Sequence, residues 1–544
     1  MKKKIVAPII ILLLIIFAGI SGCQKTDLVS NPNAVSDNST VPVSLILNHM
    51  SYSIYAGGGV LDNRPGYVYE YPWDLPFVWG QYFVSNYQYY RGTNFYNWGG
   101  SATAYDLLKY ANKMQDQNVK QYGSASNKYT ALGQFFRAYS FIWLTQRVGD
   151  IPMTQAGNPN ILTPTYDSQH DVYKNCLALL DSANTIMGSL INASNAGSVL
   201  DANGDIYGLT YIQWQQVINT YKLRILISLS KRAQDNPDLN IPAQFATIIN
   251  NPTQYPIMGS NKDNMVFKYN AAYNPYSIFL RGNAPYNNYA NMCKTILDLT
   301  TANQDPRTFI IATPAPAQLA GGKQLSDFTA YVGADINTDQ ATLNSDAAAG
   351  KYSYANYQRY YTSQAGANCE PYILVGYPEM CFNIAEAINR GWVTGNSTTW
   401  YTNGIKASLG VYGLTQGQNF TIGDNAGKTL GTVTIDINTF LASPNVVYAG
   451  DNAAGLTQIL QQKYVAFFVN SGWEAFYNWR RTGVPNFSQG GDGIGTPNNQ
   501  NLIPRRWQYP NDEAVYNTTN YNSAISSQFG GSGDNVSLDT WLTK

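Results

Sequence analysis

Residues suited to recognition chemistry crowd two stretches of this 544-residue chain. Between Tyr67 and Trp98 aromatic rings recur every few positions, among them Trp73 and Trp79. A second stretch, Tyr273 to Tyr289, combines Tyr286 and Tyr289 with Asn287, Asn288 and a single Arg281. Tyr and Trp offer a flat apolar face with one polar atom, which can stack on the C–H face of a sugar or on the side chains of a peptide. Amides add donors and acceptors without charge. Such a surface suits a neutral, hydroxyl-rich ligand. Trp73 and Trp79 stand beside Pro or Gly, where loop exposure is expected. The competing reading is packing, because aromatic side chains dominate cores.

Metal and catalytic chemistry find less support. Asp201, Asn203 and Asp205 set oxygen atoms at alternate positions, like the first half of a calcium loop. A full loop needs Gly at its sixth position and a bidentate Glu at its twelfth, where this chain has Ile206 and Ile212. The stretch therefore reads as a turn entering the helix at Trp214, with calcium as the lesser alternative, and no cofactor is expected. Glu386, Arg390, Arg480 and Arg481 read as structural ion pairs and helix-end partners. His49 and His170 are the only histidines. Neither has a Ser or Cys motif beside it, and no GxSxG elbow occurs. Acids are sparse, but the separation of two carboxylates is a three-dimensional fact, so paired acids for glycoside hydrolysis stay open at this point.

One cysteine has a separate chemistry. Lys2, Lys3 and Lys4 precede an apolar run from Ile5 to Ile20, which ends in Ser21-Gly22-Cys23. A charged start, an apolar middle and a small-residue cleavage site are the parts of a secretory signal. Cys directly after Ser-Gly resembles a lipobox, whose thiol is alkylated with diacylglycerol before cleavage. The run is too short, and interrupted by Pro8, to read as a spanning helix, which needs about 20 apolar residues. The expected organisation is a signal over 1–22, a polar tether over 23–40 from the acylated Cys23, and one helical domain over 41–544. Cys176 and Cys381 fall on apolar helix faces, where buried free thiols are expected. With Cys293 and Cys369 they form no CxxC pair, which argues against structural zinc.

These groups must be held by a scaffold, and its pattern is helical. Apolar stripes at helical spacing run through Leu132–Trp143, Tyr173–Leu190, Trp214–Ile225, Tyr377–Ile388, Tyr401–Tyr412 and Leu456–Phe468. Short hairpins are expected only around Thr429–Ile437. Two long loops are expected, about Pro252–Pro285 and Thr313–Pro371. Lys plus Arg and Asp plus Glu are equal at 34 each, while Tyr reaches 42 and Trp 11. No basic surface for nucleic acid follows from that balance, nor does disorder.

Short motifs punctuate this pattern. Asn31-Pro32-Asn33-Ala34 comes first, then the turn Gly149-Asp150-Ile151-Pro152 and the set Pro164, Tyr166, Asp167 and Gln169. Trp214, Asn219 and Leu223-Arg224 share one helix, followed by Asp305-Pro306-Arg307. Ala385-Glu386-Ala387 leads to Arg390-Gly391-Trp392. Gln462-Lys463-Tyr464 runs on to Trp479-Arg480-Arg481-Thr482-Gly483, and Ile503-Pro504-Arg505-Arg506 precedes Tyr509-Pro510. In this order the motifs resemble the SusD/RagB-like nutrient-binding outer-membrane lipoproteins of Bacteroidetes, in the SusD-like branch. Arg147 and Val148 depart from the pattern before the Gly149 turn.

The resemblance implies an all-α fold of tetratricopeptide-like helical pairs under long loops. It also implies an outer-membrane, lipid-anchored protein facing the cell exterior. Such a protein carries out no hydrolysis: it binds oligosaccharide, peptide or another nutrient on loops and delivers it to a SusC-like TonB-dependent transporter, acting as its lid. A surface glycosidase or peptidase, or a structural adaptor of the transporter without its own ligand site, are the alternatives.

Overall fold

The computed structural model describes residues 40–54, 75–87, 105–123, 126–268, 287–361, 371–489 and 502–544. The chain divides into Met1–Pro42 and Val43–Lys544, and every element named below belongs to the second unit.

The longer helices are α1 (Val43–Ser53), α2 (Tyr105–Tyr122), α3 (Lys128–Val148), α4 (Gln169–Leu190), α5 (Tyr211–Ser228), α6 (Ile241–Asn250), α7 (Lys294–Ala302), α8 (Tyr377–Asn389), α9 (Ser397–Val411), α10 (Ala453–Ala466), α11 (Glu474–Thr482) and α12 (Thr518–Phe529). Three antiparallel pairs of short strands complete the frame. They are β1 (Phe83–Ser85) with β3 (Ala290–Met292), β2 (Met265–Phe267) with β4 (Tyr372–Val375), and β5 (Asn419–Gly423) with β6 (Thr429–Thr434). The fold is all-α with minor sheets.

Local chemistry sets the helix starts. The Asn127 side chain accepts from the N–H groups of Tyr129 and Thr130, and Ser168 accepts from Asp171. Thr210 and Gln213 cap each other's backbone reciprocally at the head of α5. Such caps satisfy donors that a helix cannot satisfy itself, and each is worth about 1 kcal/mol.

Neighbours in sequence then pack as neighbours in space: α1 on α2, α2 on α3, α3 on α4, α4 on α5, and α8 on α5, α9 and α10. Helices in the middle of this series are covered on more than one side. On α3, Leu132, Phe135 and Phe136 are buried together with Ser140, Thr145 and Arg147. On α8, every residue from Pro378 to Ile388 is buried. Phe135 sits edge-on to Trp214 at 5.7 Å, and Tyr139 stacks on Tyr221 at 5.3 Å. The six helical stripes expected from sequence are therefore the seams between these helices.

Two expectations need correction. Residues 313–371 are not one long loop. They hold helices at Pro316–Ala320, Gln340–Ala348 and Tyr357–Tyr360, the last two capped by Asp339 and Asn356. Single bridges tie Cys293 to Ala334 and Ala312 to Ala355. Two of these helices are only five and four residues long, and Gln340–Ala348 buries just Leu343 and Ala347, so periodicity could not report them. In the earlier segment, Met265–Phe267 is strand β2. Residues 269–285 and 362–370 lie outside the described residues. The hairpin expected near Thr429 is the β5–β6 pair. Among the described residues, no helix is long and apolar enough to cross a membrane.

Candidate functional site

Several of the described motif residues turn inward. In the Gly149 turn the Asp150 carboxylate accepts the Gln169 N–H (2.8 Å), and its carbonyl accepts the Tyr509 hydroxyl (2.6 Å). Burial pushes the Asp150 carboxyl up to about 6, against the lowering effect of the Gln169 bond. Gln169 donates to the Thr145 carbonyl (2.6 Å) and accepts from Leu542 (2.8 Å). Asp305 and Arg307 are both wholly buried and pair through Nε at 3.0 Å, while Arg307 also donates to the Ser408 hydroxyl at 2.9 Å. Arg480 donates to the carbonyls of Arg505 (2.6 Å) and Gln146 (2.7 Å). These groups clamp distant segments together and leave no reactive face.

The departure at Arg147 has a local cause. Its guanidinium lies 3.4 Å from the Trp143 ring centre and 5.0 Å from that of Trp507. Cation–π contact thus holds this charge inside the protein. Glu386, Arg390 and Arg481 form the ion-paired group expected of them: Glu386 accepts from Arg481 and from Arg390 at 2.9 Å each.

The calcium-like stretch is filled with protein donors. The Asp201 carboxylate accepts the N–H groups of Asn203 (3.1 Å) and Gly204 (3.0 Å) and the Tyr129 hydroxyl (2.7 Å). Asp205 accepts from the Trp214 indole (2.8 Å), Tyr207 (2.9 Å) and Leu209 (3.0 Å). The pair builds the turn into α5. Among the described residues, no group of three or more His, Cys, Asp or Glu is arranged to hold a metal. Cys176, Cys293 and Cys381 are buried free thiols. Burial pushes Cys293 and Cys381 up to about 12, which keeps them protonated and unreactive.

Of the aromatic candidates, Trp73 and Tyr286 lie outside the described residues, as does Cys23. Trp79 is a correction: it is 1 % exposed and packs on Trp473 with ring centres 5.8 Å apart. Its neighbour Gly80 bonds back to the Pro76 carbonyl (3.1 Å), so the chain turns inward and not out to a loop tip.

Tyr289 is different. It is half-buried and stacks on Tyr87, with ring centres 4.6 Å apart and planes 20° from parallel. Tyr87 keeps 44 % of its surface exposed. Both rings stand where the β1–β3 pair ends. Asn86 fixes them there by donating its backbone N–H to the Tyr289 carbonyl (2.8 Å) and its amide to the Asn288 carbonyl (2.9 Å).

The tip of the β5–β6 hairpin closes beside this stack. The Asn425 amide donates to the Asn288 side chain (2.8 Å), and Asn287 donates to the Asn425 carbonyl. Asp424 shapes the tip by accepting the N–H groups of Ala426 and Lys428 at 2.9 Å each. At Gly427 the backbone runs so close to the Tyr357 ring that a Cβ would lie 2.7 Å from it. Gln358 donates to the Gly427 carbonyl. Tyr87, Tyr289, Asn288, Asn425, Tyr357 and Gln358 thus form one aromatic and amide rim. Sequence reasoning found Tyr289 and the Asn pair beside it. It missed Asn425, Tyr357 and Gln358, whose only local signal is the Asp424–Gly427 turn.

The fold is helical, and its rim presents aromatic rings and amides side by side. A family model described as "Starch-binding associating with outer membrane" matches residues 35–510, and the chain belongs to that SusD-like family. No curated protein sequence matches it. Among solved structures, a SusD homologue from Bacteroides fragilis NCTC 9343 is 26 % identical with a TM-score of 0.77, covering 92 % of this chain and 100 % of that one. An outer membrane protein from Bacteroides vulgatus ATCC 8482, whose description names nutrient binding, is 27 % identical with a TM-score of 0.73, over 93 % and 100 % of the two chains. A chitin-binding protein shares the fold at a TM-score of 0.63 and 22 % identity, over 92 % and 99 %.

Proposed function

We propose that the chain is a non-enzymatic surface receptor that captures a neutral oligosaccharide on the Tyr87–Tyr289 rim. The observation that supports this most directly is the partly exposed Tyr87–Tyr289 stack held beside the Asn288–Asn425 amide pair. Rings supply a C–H-stacking face, and amides supply both senses of hydrogen bond without charge. The captured sugar passes to a SusC-like TonB-dependent transporter, over which the protein acts as a lid. Acyl chains on Cys23, palmitate among them, tether it to the outer membrane on the exterior face. Two or more chains are needed for a stable anchor. Affinity is modest, because an open, wet surface desolvates little on binding.

Calorimetry of the mature protein against neutral oligosaccharides and against peptides tests this reading. Tyr289→Ala weakens sugar binding by about tenfold, the equivalent of about 1.4 kcal/mol. Unchanged binding in both Tyr87→Ala and Tyr289→Ala removes the rim from consideration. Preference for peptides replaces the ligand class.

A further inference from the structure

The β1–β3 pair has a second end. From Tyr289 the chain runs four residues, about 13 Å of strand, to Cys293, whose N–H bonds to the Tyr82 carbonyl (2.9 Å) just before α7 begins. There the wholly buried Gln81 ties three segments together. It accepts the Thr295 hydroxyl (2.8 Å) and the Ser488 N–H (3.1 Å), and its amide donates to the Ser488 carbonyl (3.0 Å).

Those bonds fix one wall of a cleft of about 610 Å³ between α7, α10, the 444–445 turn and the 485–488 segment. The opposite wall is locked by Gln458. Its amide donates to the carbonyls of Asn445 (3.1 Å) and Val447 (2.9 Å), while its oxygen accepts from Ala449 (2.8 Å). Asn445 in turn donates to the Ala302 carbonyl at the end of α7 (3.1 Å).

Between these walls stand polar residues whose side chains have no hydrogen-bond partner among the described residues. Asn303, Gln461, Asn486 and Ser488 all line the cleft. Asn303 is 94 % buried, Gln461 and Ser488 are half-buried, and Asn486 is exposed. Lys294 pairs with Asp298 and also feels Asp335, so one base stands between two acids and the cleft keeps one net negative charge.

This inventory selects a ligand. An apolar molecule would strand three amides, at a cost of about 1–3 kcal/mol for each buried polar group left unmet. A phosphate or carboxylate would face Asp335. Vicinal hydroxyls, each able to donate and accept, match amides that can do the same. The cleft has the volume of an ordinary small-molecule site, roughly 300–1,000 Å³. We propose that it is a second site, which holds a neutral saccharide unit by hydrogen bonds alone. It shares no residue with the rim and stands on its own geometry.

The test uses mature protein with maltose, cellobiose and N,N′-diacetylchitobiose as probes in saturation-transfer NMR and calorimetry. Two double variants separate the sites: Tyr87→Ala with Tyr289→Ala, and Gln461→Ala with Asn486→Ala. Melting curves confirm that both are folded. The expected result is that the rim variant still binds at least one probe, and that adding the cleft substitutions weakens this residual binding at least tenfold. A rim variant that binds none of the three probes overturns the cleft, as does residual binding indifferent to Gln461→Ala and Asn486→Ala. A cleft variant that loses binding while the rim variant matches wild type sinks the rim and upholds the cleft. Wild-type binding in both variants, and in their combination, removes both sites.

Discussion

Replacing Glu386 by Gln keeps the size of the side chain and removes its charge from the last turn of α8. The carboxylate is wholly buried and accepts from Arg481 Nη2 and Arg390 Nε at 2.9 Å. Arg481 is held besides by the Ser230 hydroxyl (2.8 Å) and the Asn478 side chain (3.0 Å). Burial by itself would raise this acid. The charge of Arg481 and its hydrogen bonds, followed by Arg390, outweigh burial and hold it at about 2 against an ordinary 4.5. The difference of about 2.5 units, at about 1.36 kcal/mol per unit, is about 3 kcal/mol. That matches the general cost of breaking a buried pair, about 3–5 kcal/mol, because Arg481 would keep a charge with no counterpart.

For a body of roughly 500 residues the unfolding entropy is about 1 kcal/mol/K, so the melting temperature falls by only about 3 °C. Urea unfolding is the sharper assay. The pH dependence carries a fixed sign. A depressed carboxyl stabilises the fold fully above its unfolded value near 4.5 and loses that contribution as pH falls toward 2. The gap between wild type and Glu386→Gln should therefore be constant from pH 8 to about 5 and narrow below that. A gap under about 1 kcal/mol at pH 7, or one that does not narrow on acidification, refutes the reasoning.

Lys463 subtracts stability at neutral pH where Glu386 adds it. Burial drives it down to about 8 from 10.5 although Glu379 opposes the fall, and its ammonium donates to Asn383 (2.6 Å) and Asn478 (2.9 Å). The unfolded chain holds this proton more tightly, so stability should rise between pH 8 and 10.5 by about 3 kcal/mol. Urea titrations of Lys463→Met should lack that part of the slope. Gly149→Ala should lower stability by about 2 kcal/mol or more in thermal melts. Gly149 sits at φ +103°, and an added Cβ would lie 2.1 Å from the Gln528 oxygen that accepts the Asp150 N–H. Cys23→Ala should leave the fold's circular dichroism unchanged and move the protein out of the membrane fraction. Retention in that fraction would mean either that the transporter partner holds it or that the reading of the signal fails.

Helices were legible in the sequence because an apolar stripe is a local pattern, and the stripe on α4 through Tyr173, Cys176, Leu180 and Met187 is the buried face observed. The β1–β3 and β2–β4 pairs were not legible. Each strand has three or four residues, and Phe83 meets Met292 across some two hundred positions. No short-range signal encodes such a pairing. Exposure was legible only in part. The rule that Gly and Pro neighbours mark surface rings failed at Trp79, because Gln81 takes a left-handed φ of +53° and folds the turn onto the core. Asp201, Asn203 and Asp205 carried a calcium-like spacing. Spacing cannot reveal that Tyr129, Trp214 and four backbone N–H groups occupy the two carboxylates. The Asn287–Asn288 amides were visible, but their partner Asn425 arrives from a hairpin 137 residues away.

The inward direction of the signature residues has a consequence for how such a protein can change. Asp305 with Arg307, Glu386 with Arg481, and Arg506 with Asp534 are interior fasteners. The rim residues sit on a hairpin tip and a strand end, and none of these three pairs includes one of them. Ancestry is thus written in one set of residues, and a ligand taken at the rim would be read by another. Exchanging the 424–427 tip for that of a relative should alter which sugar is held while every fastener stays closed. Motif resemblance alone can name the lineage of such a chain and leave its menu unread.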